Sequence, residues 1–117
     1  MQRFSFRPKH RLLSKREFSN VFNQVDYRVA KGPVLILARN NNLDHPRLGL
    51  VVRKKFLTRA VDRNKIKRLI RENFRLKQHC MANLDIIVMN RSGCEDKTKE
   101  QLNQFIERVF DGLPSKI

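Results

Sequence analysis

One amphipathic stretch decides the fold: residues 63–75 read RNKIKRLIRENFR. Apolar side chains recur in and just after it at the spacing of one helix face, namely Ile66, Leu69, Ile70 and Leu76. Basic side chains recur every fourth residue on a neighbouring face, namely Arg63, Lys67, Arg71 and Arg75. The pattern predicts a helix over about Ala60 to Lys77, with one side on a core and the other cationic.

The cationic side of this helix predicts a polyanionic partner. Each like-charged pair four residues apart destabilises an isolated helix by roughly 0.2–0.5 kcal/mol. A solvated face normally carries both signs of charge, whereas Glu72 is the only acid in residues 63–75. Asn64 falls inside the charged arc, where an amide suits base edges or 2′-hydroxyls. We therefore interpret this side as an RNA-binding face.

Composition and charge favour the same class of partner. The chain has 117 residues, 40% of them hydrophobic, which suits one domain with a modest core. The net charge of +15 and the pI near 11.0 favour nucleic acid first and an acidic membrane second. Residues 1–77 hold 21 basic and 5 acidic residues, and residues 78–117 hold 5 and 6. The last third is therefore expected to be structural.

Neither a membrane span nor an export signal is expected. The longest apolar run, residues 34–38, is far shorter than the roughly 20 residues that a span needs. Residues 1–11 are basic and lack an apolar stretch, so they are expected to form a basic N-terminal arm and not a signal peptide. The prediction is a single soluble, cytoplasmic RNA-binding domain over residues 1–117.

Turn and capping signals divide the rest of the chain. Ser14 with Glu17, and Thr98 with Gln101, have the capping-box form and predict helices that begin just after Ser14 and Thr98, the second ending before Gly112. Residues 27–39 predict either one strand with a break at Gly32-Pro33 or two short strands, and the turn-rich residues 40–46 predict a hairpin closure. Residues 48–54 and 84–89 predict two further strands. The order α-β-β-β-α-β-α indicates an α+β fold with helices on a small sheet.

A groove is predicted between the first helix and one face of the sheet. In residues 48–54, alternation places Gly49, Val51 and Arg53 on one face, which is too polar to be fully buried. Phe18 and Phe22 lie one helical turn apart on the first helix. They either pack in the core or stack on single-stranded bases, a contact that contributes about 1–3 kcal/mol per base.

No convincing catalytic set accompanies these features. His10, His45 and His79 lie in unrelated segments. A general acid pair of His10 and His45 would suggest a metal-free ribonuclease, but the spacing of the two residues does not support such a pair. Cys80 and Cys94 are expected to be reduced, and no second ligand pair at zinc spacing accompanies them. The protein alone is not expected to be the catalyst.

The signature of residues 63–72, RNKIKRLIRE, follows Lys54-Lys55 and Arg59-Ala60, with Phe18 and Phe22 upstream and LDIIV at residues 84–88. Over about residues 11–111 the chain resembles the protein component of bacterial ribonuclease P. The resemblance implies an endoribonuclease ribonucleoprotein in which a catalytic RNA removes the 5′ leader of precursor tRNA with Mg²⁺ held at the RNA. It also implies a two-layer α-β sandwich like ribosomal protein S5 domain 2, with a left-handed β-α-β crossover. The partners implied are the catalytic RNA subunit and precursor tRNA, with no membrane, no DNA and no metal held by the protein.

The resemblance also assigns site residues. Those implied to bind the RNA subunit are Arg63, Asn64, Lys65, Lys67, Arg68 and Arg71. Those implied to form the leader-binding cleft are Phe18, Phe22, Ile36 and Arg53. Those implied to add basic surface are Lys54, Lys55, Arg59 and Arg75. Two positions depart from the family pattern: Ile36 replaces an aromatic residue of some members, and Lys65 replaces an arginine, which removes the bidentate fork.

Three alternatives remain open at this point. A ribosomal or other structural RNA-binding protein would share the charge but need no groove for a single strand. A DNA-binding regulator would use residues 60–77 as a recognition helix, although no helix and short turn precede them. A stand-alone nuclease would cleave RNA without an RNA subunit.

Overall fold

The computed structural model describes residues 10–12 and 14–115, which form one four-stranded sheet with three helices. The helices are α1 (Lys15–Asn23), α2 (Ala60–Lys77) and α3 (Lys99–Asp111). The strands are β1 (Tyr27–Lys31), β2 (Val34–Asn40), β3 (Arg47–Val51) and β4 (Leu84–Asn90). The predicted order α-β-β-β-α-β-α and the α+β class are confirmed. Residues 1–9 of the predicted N-terminal arm lie outside the described residues.

Local signals set the helix boundaries as the sequence predicted. Both capping boxes form: Ser14 accepts from the Glu17 N–H and Thr98 from the Gln101 N–H, while the Glu17 and Gln101 side chains bond back to the cap N–H groups. Each box satisfies donors that a helix start otherwise leaves unpaired.

No helix among residues 10–12 and 14–115 has the length and apolar character to cross a bilayer.

The strand order β1-β2-β4-β3 corrects one prediction. Residues 40–46 do not close a hairpin, because β4 lies between β2 and β3, antiparallel to β2 and parallel to β3. Residues 84–88 of β4 are all buried, as is typical of a central strand covered on both faces. Asn41 ties the connection to β4, since its N–H donates to the Asn83 carbonyl and its side chain to Asp85. Turn-forming residues indicate that the chain reverses direction, but they do not specify which strand pairs with β2.

The crossover unit is β3–α2–β4, in which two adjacent parallel strands are joined through the basic helix. β3 ends at Val51, earlier than predicted, and a short 3-10 turn at Lys54–Phe56 leads into α2. The parallel pairing of β3 with β4 therefore stops at Val51 opposite Met89.

One face of the sheet, which we call the closed face, carries α2 and α3 and forms the main core. Ile66, Ile70 and Phe74 of α2 contribute buried side chains to it. Leu76 does not, because it is 52% exposed. Phe74 lies one turn after Ile70, whereas Leu76 lies roughly 120° round the helix from Ile70. The apolar arc of α2 is therefore centred differently from the prediction.

The opposite face, which we call the open face, carries only α1 among the described helices. A small cluster of Leu12, Val21 and Ile87 joins α1 to this face. The half-buried side chains around this cluster are Phe18, Leu37, Val51 and Met89. The sandwich of sheet and α2–α3 is thus the predicted two-layer core, with α1 added as a partial cover on the other side.

Candidate nucleic-acid interface

A partly buried ionic network fixes α1 on the open face. Arg47, the first residue of β3, donates two hydrogen bonds to Asp85 of β4, at 2.8 Å and 2.7 Å. Arg47 also bonds Glu17 of α1. The hydrogen bond to Asp85 is the main reason that the pKa of Arg47 is raised above its ordinary value. Asp85 is 2% exposed, and a carboxylate in an otherwise apolar buried strand signals a cationic partner.

Phe18 both packs against the sheet and lines a depression along α1. A Cβ atom built on Gly49 would lie 2.6 Å from the Phe18 Cζ atom, so the ring rests directly on the backbone of β3. Glycine at residue 49 leaves the space that this close approach requires. Phe22, one turn later, is 45% exposed. Ser14, Lys15, Phe18, Ser19 and Phe22 line a shallow depression along this side of α1.

The assignment of Ile36 to the cleft is wrong. Ile36 is 0% exposed and belongs to the main core, where it pairs with Val88 on the closed face. Its neighbours Leu35 and Leu37 alternate to the open face and are half-buried. Because a strand alternates with a period of two, a shift of one residue moves a side chain to the opposite face. Leu35 and Leu37 are the aliphatic side chains that β2 presents to the open face, and Leu37 packs against the cluster that joins α1 to it.

Arg53 is fixed at the end of the sheet, beyond the last residue of β3. Its guanidinium lies over the Phe56 ring, 4.7 Å from the ring centroid. Asn90 of β4 bonds the Arg53 main chain, and the Arg53 Nη2 group donates to the Asn90 carbonyl at 2.7 Å. Lys54 and Lys55 follow on the exposed side of the 3-10 turn.

The predicted ladder of four basic residues does not form one exposed row. Arg63 is half-buried, and its Nη1 group donates to the carbonyl oxygens of Leu57 and Thr58, at 3.0 Å and 2.7 Å. These bonds hold the segment that precedes α2. Arg63 is half-buried because the apolar arc of α2 includes Phe74, and Arg63 lies at the edge of that arc.

A compact group on the exposed side of α2 forms what we call the helix basic surface. Its members line one depression, namely Arg11, Asn64, Arg68, Arg71, Glu72 and Arg75. Arg75 pairs with Glu72 at 2.8 Å. Arg11, which pairs with Leu48 by an isolated bridge, extends the cationic surface beyond the helix. Sequence periodicity could not place Arg11 there, because that position depends on the tertiary fold.

The remaining predicted basic residues lie elsewhere around α2. Lys65 lines a different groove, which includes Lys99 at the start of α3, Lys97 just before it, and the acids Asp62 and Glu95. Other predicted basic residues differ in exposure: Lys67 is half-buried, whereas Arg59, Lys54 and Lys55 are exposed. The structure therefore brings Asn64, Arg68, Arg71 and Arg75 together, and it separates Arg63 and Lys65 from them.

The histidines and thiols have distinct settings. The rings of His10 and His45 meet edge to face with centroids 5.6 Å apart, which their separation in sequence did not predict. Both cysteines are free thiols, as predicted, with Cys94 buried and Cys80 exposed. Burial raises the pKa of Cys94 above its ordinary value. Within residues 10–12 and 14–115, no group of three or more His, Cys, Asp or Glu side chains could hold a metal ion.

A cationic helix side on a small α+β domain, with a partly covered sheet face beside it, is typical of an RNA-binding protein. Comparison with known proteins specifies the family. The model of the ribonuclease P family matches residues 6–113. The ribonuclease P protein component of Alcanivorax borkumensis is 43% identical over 112 residues, which cover 96% of this chain and 93% of that protein. The chain belongs to the ribonuclease P protein family, whose role is the 5′ processing of tRNA.

Solved structures agree with this assignment. The ribonuclease P protein of Staphylococcus aureus, solved at 2.0 Å, superposes with a TM-score of 0.78 at 38% identity, covering 87% of this chain and 93% of that one. A mutant of the S. aureus protein, described as defective in mRNA degradation activity, superposes with a TM-score of 0.80 at 36% identity, covering 88% and 86%.

Proposed function

We propose that this chain binds the catalytic RNA of ribonuclease P through the helix basic surface and the 5′ leader of precursor tRNA through the groove on the open face. The RNA subunit, with Mg²⁺ at the RNA, carries out the hydrolysis. The chain acts in the cytoplasm as one RNA-binding domain over residues 1–117. The observation that carries this proposal is the concentration of arginines on the exposed side of a helix whose other side is fully packed.

The helix basic surface suits a folded RNA. Arg68, Arg71 and Arg75 offer planar guanidinium groups, which bind phosphate through paired hydrogen bonds, and Asn64 adds an amide among them. α2 is anchored by Ile66, Ile70 and Phe74, so these donors stand on a rigid element. If roughly six to ten phosphates are neutralised, affinity falls by about 10³–10⁵ between about 50 and about 200 mM salt.

The groove on the open face suits a single strand. Phe22 is exposed on α1, while Leu35 and Leu37 form an aliphatic floor in β2. Exposed aromatic side chains stack on bases of any sequence, and nearby cations neutralise the backbone. Phe18 contributes the edge of a ring that is already packed on Gly49, so we assign it mainly to shaping the groove.

The division of labour has a physical basis. The phosphates of the precursor tRNA and of the RNA subunit repel one another. A protein that neutralises phosphate charge and holds the leader lowers the free-energy cost of bringing the two RNAs together. Mg²⁺ bound at the RNA would activate water and stabilise the leaving oxygen. The protein's contribution is charge and positioning.

Stimulation of leader removal tests the proposal. The protein is mixed with the catalytic RNA and a leader-bearing precursor tRNA at low Mg²⁺ concentration, and the rate of leader removal is measured against RNA alone. Stimulation is expected, because the protein replaces part of the charge neutralisation that Mg²⁺ otherwise supplies. A ribosomal or other structural RNA-binding protein would bind the RNA without stimulating cleavage, and that result would contradict the proposal.

A second candidate function is RNA cleavage by the protein itself. The 5.6 Å approach of the His10 and His45 rings favours it, since one imidazole could donate and the other accept a proton at a phosphodiester that lies against the pair. The protein without RNA subunit is incubated with single-stranded RNA and a metal chelator. Cleavage that ends in 2′,3′-cyclic phosphate and is lost in His45→Asn would support this function, and intact RNA would exclude it.

A further inference from the structure

Asn90 makes an unusual connection at the point where the sheet ends. It is the last residue of β4 and is 1% exposed. Its side-chain Oδ1 accepts from the Arg53 N–H at 2.6 Å, and its Nδ2 donates to the Arg53 carbonyl at 3.0 Å. The backbone pairing of β3 with β4 has already stopped at Val51. One amide side chain therefore takes the place of a neighbouring strand and fixes the backbone of Arg53.

The Arg53 side chain also bonds Asn90. Its Nη2 group donates to the Asn90 main-chain carbonyl at 2.7 Å, and the guanidinium plane lies over the Phe56 ring. Backbone and side chain of Arg53 are thus held by three hydrogen bonds to Asn90 and one aromatic contact. A long cationic side chain normally loses considerable rotamer freedom when it binds a ligand, and a side chain that is already ordered avoids most of that cost.

The fixed guanidinium keeps donors for a ligand. Among residues 10–12 and 14–115, the hydrogen bonds of this guanidinium go to the Asn90 carbonyl alone, so Nη1 retains both of its N–H groups. Lys54 and Lys55 follow directly and are exposed. The local chemistry is that of a phosphodiester site, since a planar cation with neighbouring lysines matches phosphate oxygens.

We infer that Asn90 is a positioning residue, which holds the Arg53 guanidinium in place for a phosphate of the 5′ leader. Asn90 acts through Arg53 and does not itself contact RNA, because its amide is buried and both of its polar atoms bond the Arg53 main chain. This inference rests on the proposed function, in which the groove beside α1 receives the leader.

The test measures the leader contribution, defined as the ratio of dissociation constants of the reconstituted holoenzyme for mature tRNA and for leader-bearing precursor tRNA. Arg53→Ala is expected to lower this ratio about tenfold, which corresponds to about 1.4 kcal/mol. Asn90→Ala is expected to lower it by a similar factor, and the double variant should lower it no further, because both changes remove the same contact.

Asn73→Ala is the matched control. Asn73 is also a buried asparagine, and its amide donates to the Leu69 carbonyl and to Asn103, far along the chain from the Arg53 turn. The control should lose stability and keep the full leader contribution. Asn90→Ala with an unchanged ratio, or losses that multiply in the double variant, would overturn the positioning role.

Arg53→Lys keeps the test decisive if Asn90→Ala does not fold. Lysine retains the charge but cannot bond the Asn90 carbonyl while it lies flat on Phe56. The leader contribution should fall close to that of Arg53→Ala, and a ratio equal to wild type would show that charge alone matters. A wild-type ratio near one would instead contradict leader binding itself, and the inference about Asn90 would fall with it.

Discussion

The closed and open faces of the sheet are built from the same strands but differ in how they are covered. Along β2, Val34, Ile36 and Ala38 point to the closed face and are fully buried under α2 and α3. Leu35 and Leu37 point to the open face and remain half-buried, and Leu37 packs against the cluster that joins α1 to this face. The closed face supplies most of the stability, and the open face keeps apolar surface available. The difference teaches that a strand can serve core and binding site at once, provided that its register is fixed.

The largest expected effect comes from breaking the ionic network that holds α1 on the open face. Arg47→Met leaves Asp85 buried without its main cationic partner, so the free energy of unfolding should fall by about 3–5 kcal/mol. Urea denaturation measures this change. Arg28→Met, an exposed arginine on β1, is the control and should change stability by less than about 0.5 kcal/mol. Equal losses in the two variants would mean that the network does not stabilise the fold.

A second prediction compares adjacent residues of β2. Ile36→Ala should lower stability by about 2–5 kcal/mol, because it creates a cavity in the main core. Leu35→Ala should cost less, since that side chain is only half-buried. In the folded holoenzyme, Leu35→Ala should weaken binding of leader-bearing substrate and Ile36→Ala should not. If Ile36→Ala weakened leader binding and Leu35→Ala did not, the leader would bind on the closed face, which would contradict the account.

The smallest expected effect concerns the two thiols. Cys80 should react quickly with a thiol reagent, because it is exposed. Cys94 should react slowly, since it is buried in the closed-face core and burial raises its pKa, which lowers the thiolate fraction at a given pH. Mass spectrometry of the labelled protein gives the order of reaction. Urea should make the two rates similar, and labelling of Cys94 first would contradict the described packing.

Local signals in the sequence predicted the elements well. The capping boxes at Ser14 and Thr98 placed the starts of α1 and α3, and the apolar period placed α2 from Ala60 to Lys77. These features depend on hydrogen bonds and contacts within a few residues, which the sequence encodes directly. The family resemblance then supplied the fold class and the general role.

Long-range arrangements were harder to predict. The position of β4 between β2 and β3 depends on pairing across many residues, so the turn signals at residues 40–46 predict a hairpin closure that does not form. The resemblance implies a cleft position for Ile36, which is buried in the structure, because a family position does not reveal which face of the sheet a side chain takes. The sequence predicts Arg63 on an RNA-binding face, whereas its bonds to the Leu57 and Thr58 carbonyls form only in the folded chain. The hydrogen bonds between Asn90 and Arg53 likewise form only in the folded chain.

The most direct measurement of the central claim is the salt dependence of binding to the catalytic RNA for two charge-matched double variants. One carries Arg68→Gln and Arg71→Gln on the helix basic surface, and the other carries Lys31→Gln and Arg108→Gln on exposed positions of β1 and α3. The first should bind more weakly and lower the slope of log affinity against log salt by about one per lost phosphate contact, while the second stays close to wild type. Equal losses in both variants would contradict the account, because net charge and not the helix surface would then bind the RNA.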